Sequence, residues 1–409
     1  KESVMYINFW YPIVLSEELV TGTPKKVKVL GLNFVAFRDG ENNAHVLSDT
    51  CCHRGGSLGG AWSSLESAPR IIDGCIVCPY HGWEFDGAGN CVNIPSNGYG
   101  TKTPPRAKVD SYPVEEKYGV VFAFLGDLSE TERPPLLTIE EYDQPGWHAS
   151  PWLLYDVDFY YERSIENGLD PAHNEFVHPT HGFSGSNRDT YRVNDIELDD
   201  HRQGWGLWFW HNFDGPALPQ SNHPTAKGGS TPWGQMKTER SFVKVGGGTY
   251  GPNCMPTYIN FTPDKGMRQY FFEQPVESNK TIIFSLNMRN FLLGPEHDES
   301  ILARNKIIAG QDVAILQEVH PTRTPLSNTK EALVPADQAI AAYRKWLRKF
   351  DEMGWRIDWK EFKRRSGGTD IDTDTAFAIP SPARRSKGNW VLDPIPLIDA
   401  TEQLKANNG

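Results

Sequence analysis

Cysteine is scarce in this sequence, and the few cysteines are grouped. The 409 residues contain 6 cysteines, and five of them lie between Cys51 and Cys91. So few cysteines cannot staple a chain of this length, and clustered cysteines in an intracellular enzyme indicate metal binding more than disulfides. Cys254 stands apart from the group and is interpreted as a small buried apolar residue.

The sequence also lacks the segments and charges that favour a membrane or a nucleic acid. No apolar run has the length of a membrane span and no secretory signal stands at the start, so a cytoplasmic location is predicted. The first residue is Lys1, which leaves open whether an upstream segment was removed. A formal net charge of -11 argues against nucleic acid or an anionic membrane surface as a partner.

Nucleotide-binding and hydrolase motifs are absent as well. The sequence holds no G-x-G-x-x-G fingerprint, no Walker sequence and no G-x-S-x-G motif. The three glycines at 246–248 are not followed by a helical pattern, so they do not predict a phosphate-binding loop. We therefore expect neither NAD(P)H nor a flavin to bind this chain.

The length and the order of patterns predict two domains of different architecture. Up to about residue 135 the sequence shows short strands joined by turns and no convincing helical period. A polar, proline-bearing stretch at 127–135 is a plausible linker. The predicted class is α+β, with an all-β domain over 1–134 and an antiparallel sheet with helices over 135–409.

Helical segments are predicted at four places in the second domain. The segment 155–165 reads as a strand that enters a helix, a short helix covers 170–178, a long one covers 298–319, and the last covers 335–350 with a proline at its first turn. The tryptophan-rich segment 205–210 alternates like a strand, and its inward residues line either a substrate pocket or plain core.

Two short strings in the first domain each pair a cysteine with a histidine. Cys51 and His53 belong to C-C-H-R-G, and Cys78 and His81 belong to C-P-Y-H-G-W. Two thiolates and two imidazoles hold either tetrahedral zinc or a Rieske-type [2Fe–2S] cluster, in which one iron takes both cysteines and the other both histidines. One cysteine and one histidine from each loop favour the cluster. Cys75, which forms C-x-x-C with Cys78, leaves a rival zinc set open.

A second group of candidate ligands follows in the string D-P-A-H-N-E-F-V-H. A mononuclear Fe(II) site that activates oxygen uses two histidines and one carboxylate, so His173 and His178 are the candidates. His181 is a nearby competitor beyond the expected end of the helix. From the residues alone, Asp170 reads equally well as a helix cap, with Pro171 at the first helical turn.

Both groups resemble those of the Rieske non-haem iron oxygenases, the ring-hydroxylating oxygenases. C-x-H-R-G and C-P-Y-H-G-W resemble strings of the family's Rieske domain, and D-x2-H-x4-H resembles its iron motif; the likeness extends over nearly the whole chain. Two departures stand out. Cys52 takes a position where proline is common, and 24 residues separate His53 from Cys78. We expect the extra length to form a loop at 61–70.

The resemblance implies a fold, two cofactors and a set of ligands. The family joins a Rieske β-domain to a catalytic helix-grip domain. The ligands of the [2Fe–2S] cluster would be Cys51, His53, Cys78 and His81. The mononuclear Fe(II) would be held by His173, His178 and a carboxylate far along the chain. Asp312, in G-Q-D-V on the long predicted helix, resembles this third ligand, and Glu318 is the alternative.

The resemblance also implies a catalytic role for Asp170. In the family, the matching aspartate bridges an iron-ligand histidine and a cluster-ligand histidine of the neighbouring subunit. Asp170 would then bond to His173 of its own chain and to His81 of the next one. Such head-to-tail contacts close as a ring, and a homotrimer is predicted.

The activity implied is that of a terminal oxygenase, O2-dependent hydroxylation of an apolar aromatic or alicyclic substrate. The family carries out monooxygenation, dioxygenation and demethylation, and electrons would come from a separate reductase, with or without a ferredoxin. The string W-Y-P at 10–12 resembles members that act as trimers of this chain alone, which favours monohydroxylation or angular dioxygenation. The alternative from another class is a two-domain Rieske electron carrier without a catalytic iron.

Overall fold

The chain folds into two compact units. A computed structural model describes residues 5–61, 70–186, 188–193, 195–217, 238–325, 327–366, 375–386 and 388–400. The first unit comprises Lys1–Leu136, Pro275–Glu277 and Lys349–Gly409, and the second comprises Leu137–Gln274 and Ser278–Arg348. The loop predicted at 61–70 falls mainly on 62–69, outside the described residues. Across the described helices, none is both long and apolar enough to cross a membrane.

The amino-terminal part of the first unit consists of short strands, as predicted. In chain order they are β1 Phe9–Leu15, β2 Lys25–Val29, β3 Leu32–Arg38, β4 Ala44–Ser48, β5 Ile71–Ile72, β6 Cys75–Val77, β7 Glu84–Phe85, β8 Cys91–Asn93, β9 Ser111–Tyr112, β10 Val114–Lys117 and β11 Val120–Leu125. They form three antiparallel sheets with the orders β1-β11-β10, β2-β3-β4-β9 and β5-β6-β7-β8. The last of these sheets carries the second cysteine–histidine loop between β6 and β7.

The hairpin between β10 and β11 shows how the sequence sets the register of these strands. Tyr118 and Gly119 form the two-residue turn, and both have positive φ, 58° and 79°. Two such residues give a turn whose twist matches that of the flanking strands. β11 is buried at every position, so the turn delivers an apolar strand to the centre of its sheet.

The second unit is an antiparallel sheet with helices, also as predicted. Its strands are β12 His148–Ala149, β13 Leu153–Val157, β14 Ile196–Asp200, β15 Leu207–Gly215, β16 Ser241–Gly248, β17 Cys254–Asn260, β18 Gly266–Glu277 and β19 Lys280–Arg289. They form one sheet with the order β12-β19-β18-β17-β16-β15-β14, and β13 also pairs with β19. The helices up to residue 352 are α1 Tyr161–Gly168, α2 Asn174–Val177, α3 Asp298–Leu316 and α4 Gln338–Glu352.

The long predicted helix is confirmed as α3, and its apolar residues pack on the sheet. Val313 and Leu316 contact a cluster formed by Val157, Phe159 and Ile283. The helix predicted at 335–350 is confirmed as a 3-10 turn at Pro335–Asp337 that continues into α4.

The helix predicted at 170–178 is shorter than expected. It is reduced to the four residues of α2, because Pro179 follows His178 and disfavours a helical conformation there. At the other end, the Asp170 carboxylate accepts a hydrogen bond from the backbone N–H of Ala172 at 2.7 Å and holds a turn ahead of the helix.

The carboxyl-terminal segment of the first unit packs with the cysteine-rich strands. It contains α5 Trp359–Arg365 and the parallel pair β20 Phe377–Ala378 and β21 Asp393–Pro394. Ala378 and Leu392 belong to the same buried cluster as Cys51 and Cys78. The predicted division into a Rieske domain up to residue 134 and a catalytic domain from 135 stays a prediction. The compact units differ from it in that residues 349–409 belong to the first unit.

A buried ion pair fastens this segment. The Asp110 carboxylate, whose side chain is 0% exposed, accepts hydrogen bonds from Arg384 Nε at 2.8 Å and Nη2 at 2.7 Å. It also accepts from the backbone N–H and the hydroxyl of Ser381, at 3.0 and 2.8 Å. With four donors around it, the buried carboxylate is fully satisfied, which offsets its desolvation.

Candidate metal centres

The two cysteine–histidine loops have the same backbone geometry. In the first, the Cys51 N–H donates to the Gly56 carbonyl at 2.8 Å and the Gly55 N–H donates to the Cys51 carbonyl at 3.0 Å. In the second, the Cys78 N–H donates to Trp83 at 2.8 Å and Gly82 donates back to Cys78 at 2.9 Å. Gly55 and Gly82 both have φ of 72°, which explains the glycine that follows each ligand pair.

The thiols of the two loops meet in the interior of the unit. Cys51 and Cys78 are 2% and 1% exposed, and their side chains hydrogen-bond to each other. Contact with Cys52 and burial raise the pKa of the Cys51 thiol to about 11, and contact with Cys51 and burial raise the pKa of the Cys78 thiol further. Two thiolates side by side therefore need a cation, which an iron centre supplies.

A glycine keeps space open beside the sulfurs. A Cβ at Gly56 would lie 3.2 Å from Cys78 Sγ and 3.1 Å from Tyr80 Cβ, tighter than ordinary contact. His53 and His81 lie on the outer side of the thiols; both are exposed, and their ring centroids are 4.4 Å apart. His53 stacks on Trp83 at 4.3 Å with an interplanar angle of 7°.

The spacing of these side chains argues against a single zinc ion. Among the residues that the structure describes, the one group of three or more ligand atoms within 4.8 Å of one another is His173, His178 and Asp312. Neither the four cluster-loop residues nor the rival set with Cys75 converges in this way, as tetrahedral zinc requires. A cluster of two irons spreads four ligands over two metal atoms and fits the arrangement.

The second site brings together residues from α3 and from the turn around α2. His178 Nε2 lies 3.2 Å from Asp312 Oδ1 and 3.2 Å from His173 Nε2, and His173 Nε2 lies 3.7 Å from the same carboxylate oxygen. The two histidines are 5 positions apart in the chain, whereas Asp312 is 134 or more positions from either of them.

Hydrogen bonds fix the orientation of both imidazoles. His173 Nδ1 donates to the backbone carbonyl of Asp170 at 2.6 Å, and His178 Nδ1 donates to Gln311 Oε1 at 3.0 Å. Gln311 Nε2 in turn donates to the Thr180 hydroxyl at 2.5 Å, which settles which end of its amide accepts. When both rings are neutral, their Nε2 atoms carry lone pairs beside the Asp312 carboxylate. A cation, either a proton on His178 or a metal ion, is what holds these three groups together.

The protonation states of the two histidines are set by burial and by the Asp312 carboxylate. Burial lowers the pKa of His173, so its imidazole is held neutral. Burial also opposes protonation of His178, but its hydrogen bond to Asp312 and the charge of that carboxylate outweigh burial and raise its pKa. Two histidines and one carboxylate, with other positions open, form the arrangement typical of non-haem Fe(II). The residues present therefore fit a mononuclear iron.

The structure distinguishes among the other predicted candidates. Glu318 is exposed beyond the end of α3, whereas Asp312 contacts both histidines. His181 ends a 3-10 turn, with its ring centroid 5.0 Å from that of His178 and outside the ligand triangle. Burial lowers the pKa of His181 well below its usual value, so this imidazole is neutral.

Asp170 contacts His173 differently from the prediction. Its backbone carbonyl accepts the Nδ1 hydrogen bond, while its carboxylate oxygen Oδ2 lies 3.8 Å from Nδ1. The carboxylate oxygen Oδ1 instead accepts a hydrogen bond from the backbone N–H of Ala172. A carboxylate can accept further hydrogen bonds through its other lone pairs. Burial raises the pKa of the Asp170 carboxyl.

Two orienting residues had no role assigned from the sequence. Gln311 holds His178, and Asn167 Nδ2 donates to Asp312 Oδ1 at 3.1 Å. Each stands in the same short string as a ligand, Gln311 directly before Asp312, and this proximity was the available signal. The contacts themselves join different elements, so spacing could not reveal them.

A cavity of about 240 Å3 opens beside the three ligands. Its wall is mostly apolar and draws on the inner sides of the strands and on α3: Phe159, Phe209, Val245, Met255, Ile283 and Leu316. For the segment 205–210 the sequence left pocket and plain core open. Phe209 lines the cavity, while Trp208 and Trp210 contact Tyr258 and each other. A small apolar molecule fits this space next to the candidate iron.

Comparisons with known proteins match both parts of the chain. Residues 9–113 match the Rieske [2Fe-2S] domain, and residues 157–353 match the vanillate O-demethylase oxygenase C-terminal domain. The chloroplastic protein TIC 55 of Pisum sativum is 25% identical over 350 residues, which are 83% of this chain and 57% of that protein. The chain belongs to the Rieske non-haem iron oxygenases, whose C-terminal domain uses a mononuclear iron.

Solved structures share the fold. NdmA of Pseudomonas putida CBB5 with caffeine is similar with a TM-score of 0.65 at 23% identity, over 83% of this chain and 90% of that one. Dicamba monooxygenase bound to dicamba is similar with a TM-score of 0.65 at 19% identity, over 86% and 99% of the two chains. The chain spans less than two thirds of the length of the first curated relatives that it matches.

Proposed function

We propose that this chain is a terminal oxygenase that hydroxylates an apolar aromatic or alicyclic substrate with O2. The observation that carries the proposal is the convergence of His173, His178 and Asp312 at the wall of an apolar cavity, in a chain that also has a Rieske domain. An electron carrier needs no such cavity, and a hydrolase would need a nucleophile that the sequence motifs do not supply.

The chain's own residues prepare this site. His173, His178 and Asp312 would hold Fe(II), and Cys51, His53, Cys78 and His81 would hold the cluster. When bound, the iron would supply the redox chemistry that activates O2 and the cluster would supply electrons to it. Gln311 and Asn167 keep His178 and Asp312 in place, and the apolar wall excludes water from the reacting carbon.

The cavity supports the substrate class. Its volume of about 240 Å3 suits a molecule of one or two rings, and its aromatic and aliphatic wall favours an apolar body. NdmA was solved with caffeine and dicamba monooxygenase with dicamba, both of them small ring compounds. The reaction itself, monooxygenation, dioxygenation or demethylation, follows from where the reacting carbon rests relative to the iron.

The partners are part of the same proposal. The reaction uses O2 and an organic substrate. Its electrons come from a separate reductase or ferredoxin, because the sequence contains no dinucleotide-binding motif. A homotrimer is proposed, in which the Asp170 carboxylate of one subunit meets His81 of its neighbour. His81 is exposed on its loop, as such a contact demands. A cytoplasmic location stays a prediction.

Metal content separates this proposal from the electron-carrier alternative. The purified full chain should contain about three irons as an oxygenase and two as a carrier. His173→Ala should remove one iron and abolish product formation, while the visible absorption and the reduced EPR signal of the cluster persist. Two irons in the unsubstituted chain, or an unchanged iron count in His173→Ala, would contradict the proposal.

Asp170→Asn tests the bridging role. The asparagine retains an oxygen that accepts from Ala172, so the local turn and both metals should be kept. It loses the charge that would hold two imidazoles together, and reduction of the cluster should no longer lead to turnover. The measurements are iron content, cluster reduction and product formed per electron. Normal turnover in Asp170→Asn would defeat the bridging role.

A further inference from the structure

One glycine in the cavity wall has no conformational reason to be glycine. Gly168 ends α1 and lines the cavity, and it stands directly after Asn167, which donates to Asp312. Its backbone is helical and lacks the positive φ that Gly55 and Gly82 adopt. At a helical position glycine is less favourable than alanine, because it loses more backbone entropy on folding. The lack of a side chain at this position is therefore explained by the space around it.

The space beside Gly168 is filled by the end of the Met255 side chain. A Cβ at Gly168 would lie 1.6 Å from Met255 Sδ, 2.4 Å from its Cε and 3.2 Å from its Cγ. The thioether thus occupies the place that a side chain at position 168 would take. Met255 lies on β17, is 6% exposed and lines the same cavity. The space at Gly168 that holds Met255 Sδ and Cε is called the α1 slot below.

The cavity is the free space into which the thioether would move if the α1 slot were closed. Methionine has three rotatable side-chain bonds and adapts its shape to its surroundings. Protein interiors are otherwise densely packed, so a displaced group moves towards an existing void. Phe271, the residue opposite Met255 on β18, also lines the cavity, so both side chains lie on that side of the sheet. The α1 slot therefore keeps Met255 Sδ and Cε out of the cavity.

We propose that Gly168 and Met255 form a size-determining pair for the substrate. With the thioether in the α1 slot, the cavity next to α1 is long enough for two fused rings. With the slot closed, only one ring fits. The inference rests on the proposed function and narrows its substrate class to fused two-ring compounds. The pair acts by freeing space, so neither residue takes part in the chemistry.

A matched pair of probes measures the size limit. Toluene and 2-methylnaphthalene each have one methyl group and differ by one fused ring. Their binding to the full iron-loaded chain is measured by equilibrium dialysis without O2. The unsubstituted chain should bind 2-methylnaphthalene at least about tenfold more tightly than toluene, because the second ring buries more apolar surface. Gly168→Ala should weaken the binding of 2-methylnaphthalene by at least about tenfold and that of toluene by less than about threefold.

Removal of the thioether should restore the binding of the larger probe. The double variant Gly168→Ala with Met255→Ala has no thioether to displace, so its affinity for 2-methylnaphthalene should return to within about threefold of that of the unsubstituted chain. Met255→Ala alone completes the cycle and should lose little affinity for this probe, because the cavity stays wide. A loss caused by distortion of α1 would persist in the double variant.

Gly310→Ala is the matched control for Gly168→Ala. Gly310 is also a helical glycine, two residues before Asp312 on α3, and a Cβ there would meet nothing within 4 Å. Its replacement should leave both affinities unchanged. Without a probe, Gly168→Ala should unfold at nearly the same temperature as the unsubstituted chain, because alanine favours the helix and the displaced side chain is flexible.

Several results would overturn the proposal. They are similar affinities of the unsubstituted chain for the two probes, equal losses for both probes in Gly168→Ala, no recovery in the double variant, or a marked fall of the unfolding temperature in Gly168→Ala. The iron count tests the oxygenase separately. Two irons per chain with the expected binding pattern would refute the oxygenase and keep the size-determining pair, whereas three irons without that pattern would refute the pair and keep the oxygenase.

Discussion

The cluster loops of the first unit and the iron site of the second are assembled in different ways. Each cluster loop is a single string whose backbone closes on itself within six residues, through the paired hydrogen bonds at Cys51 and Cys78. The iron site joins the turn around α2 to α3, more than a hundred residues later. Its histidines are oriented by a backbone carbonyl and a distant glutamine, whereas His53 and His81 are exposed.

This difference shows which kind of metal site tolerates change around it. A loop whose conformation is fixed by its own backbone hydrogen bonds needs only a stable scaffold to support it. A site that joins two elements depends on the register of the helix and on every buried side chain that fixes the ligands. We therefore expect substitutions far from the metal to affect the iron site more than the cluster.

The largest expected effect is the loss of iron from the second site alone. Asp312→Ala removes the carboxylate that both histidines contact, and it leaves two converging lone pairs without a charge to hold the cation. Loss of a residue that only supports a ligand typically weakens metal affinity by up to about a hundredfold. Loss of a ligand itself should therefore lower the iron affinity of this site by at least that factor. Iron analysis should give about two irons per chain, with the cluster spectrum unchanged.

Glu318→Gln is the matched control for Asp312→Ala. Glu318 was the alternative carboxylate in the sequence, and the structure leaves it exposed beyond α3. Its replacement should keep the full iron content and the full activity. Loss of iron in Glu318→Gln with retention in Asp312→Ala would reverse the assignment of the third ligand.

The same contrast explains how far the sequence could predict each site. The cluster ligands lie in two continuous strings, so residue types and spacing were enough to nominate them. His173 and His178 also share a string, but a two-histidine string fits a capped helix equally well. Asp312 needed the family resemblance, because the contact between α2 and α3 leaves no periodic signal in the sequence. The strands and the long helix were predicted because their apolar periods are sustained over many residues.

Other parts were not predicted because they depend on tertiary contacts. The shortened helix α2 reflects Pro179 and the turn at Asp170, a local effect that a helical period hides. The return of residues 375–386 and 388–400 to the first unit involves the buried carboxylate of Asp110 and a shared apolar core, contacts that no local pattern in the sequence encodes.

The next largest effect concerns the scaffold of the cluster loops. Arg384→Ala leaves the Asp110 carboxylate buried without its cation, which typically costs about 3–5 kcal/mol of unfolding free energy. Because Ala378 and Leu392 share a core with Cys51 and Cys78, loosening this segment should lower the temperature at which the cluster absorbance is lost. Both quantities are measured by thermal and denaturant unfolding.

Arg385→Ala is the matched control for Arg384→Ala. Arg385 is the adjacent arginine, and it pairs with Glu132 at the surface, where solvent screens the charges. Its replacement should leave stability and cluster absorbance nearly unchanged. Equal losses in the two variants would mean that the buried pair does not fasten the segment, and that the cluster loops depend on their surroundings less than we infer.

A smaller effect tests the orientation of the iron ligands. Gln311→Leu removes the acceptor for His178 Nδ1 and the donor to Thr180 while keeping the size of the side chain. Loss of such a supporting hydrogen bond typically weakens metal affinity about 10- to 100-fold. Titration with Fe(II) against a competing chelator measures it, and Gln317→Leu, at the exposed end of α3, is the control. Equal iron affinities in the two variants would contradict the role of Gln311.

A further expected effect is a dependence of stability on pH in the second unit. Glu273 on β18 is 0% exposed; burial raises its pKa to about 8, although the hydrogen bond from Ser164 opposes the rise. Its other ionisable neighbour, Cys254, is also buried, and burial raises the pKa of that thiol. The folded state therefore binds a proton at Glu273 that the unfolded state, with a carboxyl pKa of about 4.5, releases.

The sign of the effect follows from this difference in proton binding. The stabilisation from protonated Glu273 is fully present below about pH 4.5 and is lost as the pH rises towards 8, at up to about 1.4 kcal/mol per pH unit. Glu273→Gln stays neutral, so its unfolding free energy should exceed that of the unsubstituted chain by a margin that grows over this interval. Ser164→Ala, which removes a bond that favours the carboxylate, should shift the loss to higher pH. Denaturant unfolding at several pH values measures all three, and parallel curves would show that Glu273 does not titrate in this range.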